Sequence, residues 1–231
     1  MNILLIAGHG DGDCGATGNG YKEADLTRDV AVALKAELEG YAEIDIADMK
    51  RNWYQYVCKK GGYLPLNGYE YALELHFNAV KPKTKSDGKT KGAEIYVTTA
   101  EKGTKVEQAI VNNLSALGFK NRGVKRYNYG LINYIKKRGV SSALLEVCFI
   151  DDIDDMKLFL SKKGEAIRAI ADGIISGFSL EKRVDELTDA CNVLASKGII
   201  NSPDYWAKGK GYSDENTVLL IKKLAAYVRG A

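Results

Sequence analysis

Apolar residues fall along this chain in two rhythms that take turns. Asn2 to Ala7 is a short, continuous apolar run that stops at Gly8-His9-Gly10, the pattern of a buried strand ending in a glycine-rich loop. Leu26, Val30, Leu34 and Leu38 then recur every four residues, which predicts an amphipathic helix from Glu23 to about Leu38 with Glu23 in its first turn. Ile44 and Ile46 alternate with acids, as on an edge strand. From Tyr69 to Leu75 the alternation returns, with Tyr71, Leu73 and Leu75 on one face, and this strand delivers His76 at its end. Ala93 to Thr98 predicts a further strand, and Val106, Ile110, Leu114 and Leu117 form a helix face that ends at Gly118. Ala143 to Ile150 is the most apolar strand of the second half and contains one charged residue, Glu146. Asp151 and Asp152 follow as helix-starting acids, and Ile167, Ile170, Ala171, Ile174 and Phe178 complete one long helix face.

This alternation predicts a layered α/β domain over residues 1–180. Residues 181–231 change character. Val184, Leu187, Cys191 and Leu194 give a helix closed by Gly198; Val218, Ile221, Leu224 and Val228 give another; Ser202-Pro203 between them reads as a cap followed by a proline at the first helical position. The expectation is a small helical module. Its Tyr205, Trp206 and Tyr212 leave three readings open: stacking on sugar rings, self-association into a homo-oligomer, or simple packing.

Composition narrows the field. A chain of 231 residues with 45% apolar content buries a substantial core, and a formal charge of +3, from 33 basic and 30 acidic residues, argues against a nucleic-acid partner. Cys14, Cys58, Cys148 and Cys191 form no CxxC pair and read as reduced thiols. The first residues show an apolar run without a basic flank or cleavage site, so neither a signal peptide nor membrane insertion is expected, and the protein is expected to stay cytoplasmic until released to its site of action. Lys81 to Lys91, with five lysines, Pro82 and Gly88, reads as a solvated loop, with a grip on an anionic polymer as the sharper alternative.

The chain has two histidines, and both stand at strand ends beside small or polar residues, in Gly8-His9-Gly10 and His76-Phe77-Asn78. Two imidazoles, one carboxylate and an open fourth position are what a hydrolytic zinc site requires. Glu23 is the natural third ligand, although an acid in a first helical turn is also explained by the helix dipole. Glu146, flanked by Leu144, Leu145, Val147 and Phe149, must offset its desolvation; it is either a general base or the partner of Arg122 or Arg126.

Ala7-Gly8-His9-Gly10, Gly15-Ala16-Thr17-Gly18 and Glu23-Ala24-Asp25-Leu26-Thr27 together resemble the opening of the zinc-dependent N-acetylmuramoyl-L-alanine amidases called Amidase_3. Leu75-His76-Phe77-Asn78-Ala79 resembles that family's second histidine motif, Gly92-Ala93-Glu94-Ile95-Tyr96-Val97 its next strand, and Leu144 to Ile150 its last catalytic strand. The order and spacing agree across about residues 2 to 178. The resemblance implies a mixed, mostly parallel sheet between helices, Zn2+ on His9, Glu23 and His76, and Glu146 as the catalytic carboxylate. It implies peptidoglycan as the partner, cleaved between N-acetylmuramic acid and L-alanine, with an architecture like that of phage endolysins. Asn78 is then either a substrate contact or a turn residue. The chain departs from the family's usual pattern where Ile6-Ala7 replaces Asp-Pro, Glu74-Leu75 replaces Ser-Ile, and Asp151-Asp152 replaces Asn-Pro. The first of these leaves the partner that orients His9 open. The alternatives are a zinc peptidase acting on another peptidoglycan amide, which would commonly show a His-x-x-Glu motif absent here, and a wall-binding protein without turnover.

Overall fold

The computed structural model describes the chain except residues 81–84, 184–185, 199, 201, 208–214 and 230–231, and the side chains of 205, 215–217 and 219–220. Val184, Tyr212, the Tyr205 side chain and the first part of the lysine-rich loop, singled out above, lie outside the described residues. Two compact units are formed, Met1–Glu181 and Lys182–Ala231.

The first unit is built on a six-stranded sheet. Its strands are β1 (Asn2–Ala7), β4 (Glu43–Ile46), β5 (Tyr71–Asn78), β6 (Ala93–Val97), β7 (Asn121–Arg126) and β8 (Ser141–Phe149), in the order β4-β1-β5-β8-β6-β7. All neighbours run parallel except β6 and β8, so the sheet is mixed and mostly parallel. β1, β5 and β8 occupy the middle, and their near-continuous apolar runs follow from burial on both faces. One face packs Ile3, Leu5, Leu73 and Leu145 against the helices α1 (Glu23–Glu37), α2 (Lys105–Ala116) and α5 (Lys163–Phe178). The other packs Leu4, Ile6 and Ala72 against Trp53, Val57 and Leu64, around a π-helical turn at Gln55–Lys59, and against Leu131 and Ile135 of α3 (Gly130–Lys136).

Three departures from the periodicity reading stand out. The strand carrying His76 does not stop there but continues to Asn78, with a register shift against β8 between His76 and Asn78. Such a bulge re-aims side chains at a functional edge. The long helix expected after Asp152 is two helices, α4 (Ile153–Ser161) and α5, parted at Lys162, where Lys162-Lys163-Gly164 interrupts the apolar period. Asp152 does start the first of them, its side chain accepting from the Asp154 and Asp155 amides as an N-cap. Finally, a small hairpin of β2 (Thr17–Gly18) and β3 (Tyr21–Lys22) precedes α1. Its Asn19-Gly20 turn has both residues at positive φ, 51° and 85°, the conformation that Asn-Gly favours in two-residue hairpins. The Asn19 amide donates to the Ile150 carbonyl at 2.8 Å, which fixes the hairpin, and so the start of α1, against the end of β8.

Of the lysine-rich loop, Ser86, Asp87 and Gly88 are tied to Asp154, whose carboxylate accepts from the Ser86 hydroxyl and from the two backbone amides at 2.9 and 3.0 Å.

The second unit comprises α6 (Glu186–Ser196), α7 (Pro203–Ala207) and α8 (Glu215–Arg229). Ala190, Cys191, Leu194, Ile221 and Ala225 form its core, with Leu187, Trp206 and Val228 packed against it. Trp206 therefore has a packing role, as one of the readings above expects. Among the described residues no helix is long and apolar enough to cross a membrane.

Candidate metal centre and active site

His9, Glu23 and His76 converge at the carboxyl ends of β1 and β5, where an α/β sheet places its chemistry. Each offers one ligand atom, and these atoms lie within 4.8 Å of one another. Glu23 is the hub. Its Oε2 lies 3.0 Å from His9 Nε2 and accepts from the Ala16 amide at 2.9 Å; its Oε1 lies 2.8 Å from His76 Nδ1 and accepts from the Phe77 amide at 3.0 Å. Burial works against the charge of this carboxylate, but hydrogen bonds from His76 and His9 hold it far below the usual range.

Two glycines make the approach feasible. A Cβ at Gly8 would stand 2.4 Å from His76 Cε1, and one at Gly15 would stand 2.6 Å from His9 Cδ2 and 2.7 Å from Glu23 Oε2. Gly15 also has φ +65°, so a side chain there is excluded twice.

The outer nitrogens of both imidazoles face carboxylates that sequence reasoning missed. His9 Nδ1 lies 3.0 Å from Asp13 Oδ2, and Asp13 is itself held by the Asn52 amide at 2.8 Å and the Gly15 backbone at 2.9 Å. Asp13 thus answers the question left open by the missing Asp-Pro. His76 Nε2 lies 3.2 Å from Glu74 Oε1. Glu74 was readable in principle, since residues two apart on a strand share a face. Asp13 was not, because only the left-handed turn through His9 (φ 64°) and Asp11 (φ 52°) brings it round. Burial disfavours a charged His76, yet hydrogen bonds with Glu23 and Glu74 hold its pKa well above the ordinary imidazole value.

Glu146 stands directly beside His76 in the β5–β8 pairing. Its Oε2 is buried with no hydrogen-bond partner, and burial pushes its pKa up to about 7. The salt-bridge alternative fails on the positions of both arginines. Arg122 Nε is bound to Glu94 Oε2 at 2.6 Å, and Arg126 donates to the carbonyls of Thr98 and Glu101. Glu94, fully buried, also takes Lys125, the Tyr96 hydroxyl at 2.8 Å and the Asn78 side-chain amide at 2.8 Å. Asn78 is therefore an anchored residue rather than a free turn position.

His9, Glu23, His76, Asn78 and Glu146 line one cavity of about 590 Å³, together with Trp53, Tyr54 and Tyr129. A His–Glu–His set able to hold a metal ion, with a buried carboxylate beside it, is the kind of site that hydrolytic α/β proteins use. A family model described as N-acetylmuramoyl-L-alanine amidase matches residues 3–176, and the chain belongs to that family, Amidase_3. The sporulation-specific N-acetylmuramoyl-L-alanine amidase of Bacillus subtilis (strain 168) is 30% identical over 189 residues, covering 79% of this chain and 70% of that protein. The amidase LytC of the same organism is 27% identical over 75% of this chain, but this chain spans only 35% of its length. In fold, the chain is similar to the catalytic domain of the CD27L endolysin targeting Clostridia difficile, with a TM-score of 0.59, 22% identity, and coverage of 80% of this chain and 99% of that one.

Proposed function

We propose that this chain hydrolyses the amide between N-acetylmuramic acid and L-alanine in peptidoglycan, in the service of cell-wall lysis, with Zn2+ held by His9, Glu23 and His76. The observation that carries this reading is the convergence of two imidazole nitrogens on the Glu23 carboxylate, in the same cavity as the partnerless Glu146 oxygen. The donor set suits zinc, which takes imidazole nitrogen and carboxylate oxygen in sites of three protein ligands. When bound, zinc supplies Lewis acidity and makes water acidic enough to act as a nucleophile near neutral pH.

The chain's own residues do the rest. Glu146, with a pKa near 7, takes the proton from the attacking water and returns it to the departing L-alanine nitrogen. Asp13 and Glu74 orient the two imidazoles from behind. Asn78, anchored on Glu94, is the proposed polar contact for substrate at the cavity edge. Residues 182–231 are proposed to target the wall or to self-associate.

Digestion of purified cell walls tests the reading. Mass spectrometry is expected to show free stem peptides beginning with L-alanine, and intact sugar–peptide linkages throughout would overturn it. Glu146→Gln is expected to abolish that release while leaving zinc bound; metal loss in this variant would reassign Glu146 as a ligand. Comparing the full chain with one ending at Glu181, for wall binding and molecular mass, separates targeting from self-association.

A further inference from the structure

Arg28 sits in α1, outside the cavity lining, and has no part in the chemistry above. Its guanidinium is nevertheless committed in full. Nε donates to the Met49 carbonyl at 2.8 Å; Nη1 donates to Gly8 at 2.9 Å and Ala24 at 2.7 Å; Nη2 donates to His9 at 2.9 Å and again to Met49 at 2.6 Å. A guanidinium has five N–H groups, and here all five find backbone carbonyls. Those carbonyls come from three segments: the loop after β1, the first turn of α1 and the stretch after β4.

Two of them are the carbonyls of Gly8 and His9, which belong to the peptide planes on either side of the His9 Cα. The orientation of those planes is what sets φ and ψ of His9. That residue has φ 64°, a left-handed conformation that is unfavourable for an L-residue with a Cβ and persists only when its surroundings enforce it. Gly10 completes the arrangement. A Cβ there would stand 2.3 Å from Arg28 Nη2, so the glycine is what lets the guanidinium close on the His9 carbonyl.

We propose that Arg28 is a positioning residue for metal binding: by clamping the two peptide planes of His9 it holds the ring where Nε2 meets Glu23. The clamp depends on the planar fork, because a lysine ammonium concentrates its three donors at one point and cannot span three segments. This inference rests on the reading of His9 as a metal ligand.

The test uses the full chain and the variants Arg28→Lys, Arg28→Gln and His9→Ala. Zinc affinity is measured by competition with a chromophoric chelator, and the visible spectrum is recorded after cobalt substitution. Arg28→Gln is expected to weaken zinc binding about 10- to 100-fold, the usual cost of losing a group that orients a ligand, with Arg28→Lys recovering part of the loss. The cobalt spectrum of Arg28→Gln is expected to shift towards that of His9→Ala. Arg28 variants that bind zinc as the parent does, with the parent cobalt spectrum, overturn the proposal whatever their melting temperature. So does failure of both Arg28 variants to fold, which would make the residue structural. If His9→Ala itself retains parent zinc affinity, the ligand reading fails; parent-like Arg28 variants beside a zinc-deficient His9→Ala sink only the positioning role.

Discussion

His9 and His76 each turn one ring nitrogen to the same carboxylate, yet the chain fixes them by opposite means. His76 sits within the central strand β5, paired with Glu146 of β8 and directly after the residues that pair with β1, and the Phe77 amide that follows it donates to Glu23. His9 lies beyond the end of β1, in a left-handed turn, where polar side chains hold it: Arg28 on its carbonyl, Asp13 on its ring, Asn52 on Asp13. A histidine carried by a loop thus needs a dedicated set of hydrogen bonds to reach the precision a sheet supplies to its neighbour as a by-product.

Four measurements test whether loop and strand hold their histidines so differently. The largest effect is expected at the residue both halves share. Glu23→Ala removes the hub and should cut zinc affinity by more than the roughly 100-fold upper range seen for orienting residues, as read by chelator competition. Retention of zinc would show that the two imidazoles meet without it.

Next come the two carboxylates behind the rings. Asp13→Asn and Glu74→Gln should each weaken zinc binding about 10- to 100-fold, with Asp13→Asn the more damaging because the loop has no ladder to fall back on. Equal losses, or the reverse order, would break the contrast between loop and strand.

Acidity offers the third measurement. In the metal-free protein His76 binds its proton more tightly than in the unfolded chain, so its contribution to stability is complete below the unfolded imidazole pKa of about 6.5 and is lost as pH rises through the raised folded value. Glu23, held low, behaves oppositely: its contribution is present above the unfolded value of about 4.3 and is lost as pH falls through the depressed one. Melting temperatures in chelator should therefore decline on the alkaline side of neutrality. The zinc-loaded protein, whose imidazoles must be neutral to bind, should lack that decline. Parallel curves would show that His76 does not gain its proton on folding. The smallest effect on zinc affinity, less than about tenfold, is expected from Asn52→Ala, which removes the hydrogen bond to the Asp13 carboxylate and the one accepted from the Gln55 amide and should cost about 1–3 kcal/mol in chemical unfolding.

Legibility in the sequence followed the same division between strand and loop. β1, β5 and β8 were readable because burial on both faces demands continuous apolar runs, and the histidines and Glu146 stood out as polar residues set at or inside those runs. β7 was not readable, since Asn121 to Arg126 is an edge strand whose apolar content is a single valine. α3 spans seven residues, too few to show a helical period, and the π-helical turn at Gln55–Lys59 has no periodic signature of its own. Within the site, the arginine alternative for Glu146 could be settled only in three dimensions, where Glu94 claims Arg122. Asp13 reaches His9 through a turn and Arg28 reaches it through backbone carbonyls, and neither contact leaves a pattern of residue types to read.

Gly8 and Gly15 have a consequence for how this chain tolerates change. Neither carries a reactive atom, yet replacing either by any other amino acid adds at least a Cβ. At these two positions that atom lands in an imidazole ring or against the Glu23 carboxylate. A saturation scan scored on activity would therefore place both among the least permissive sites, beside the residues that do the chemistry. Telling the two groups apart would take a second score that follows metal occupancy rather than turnover.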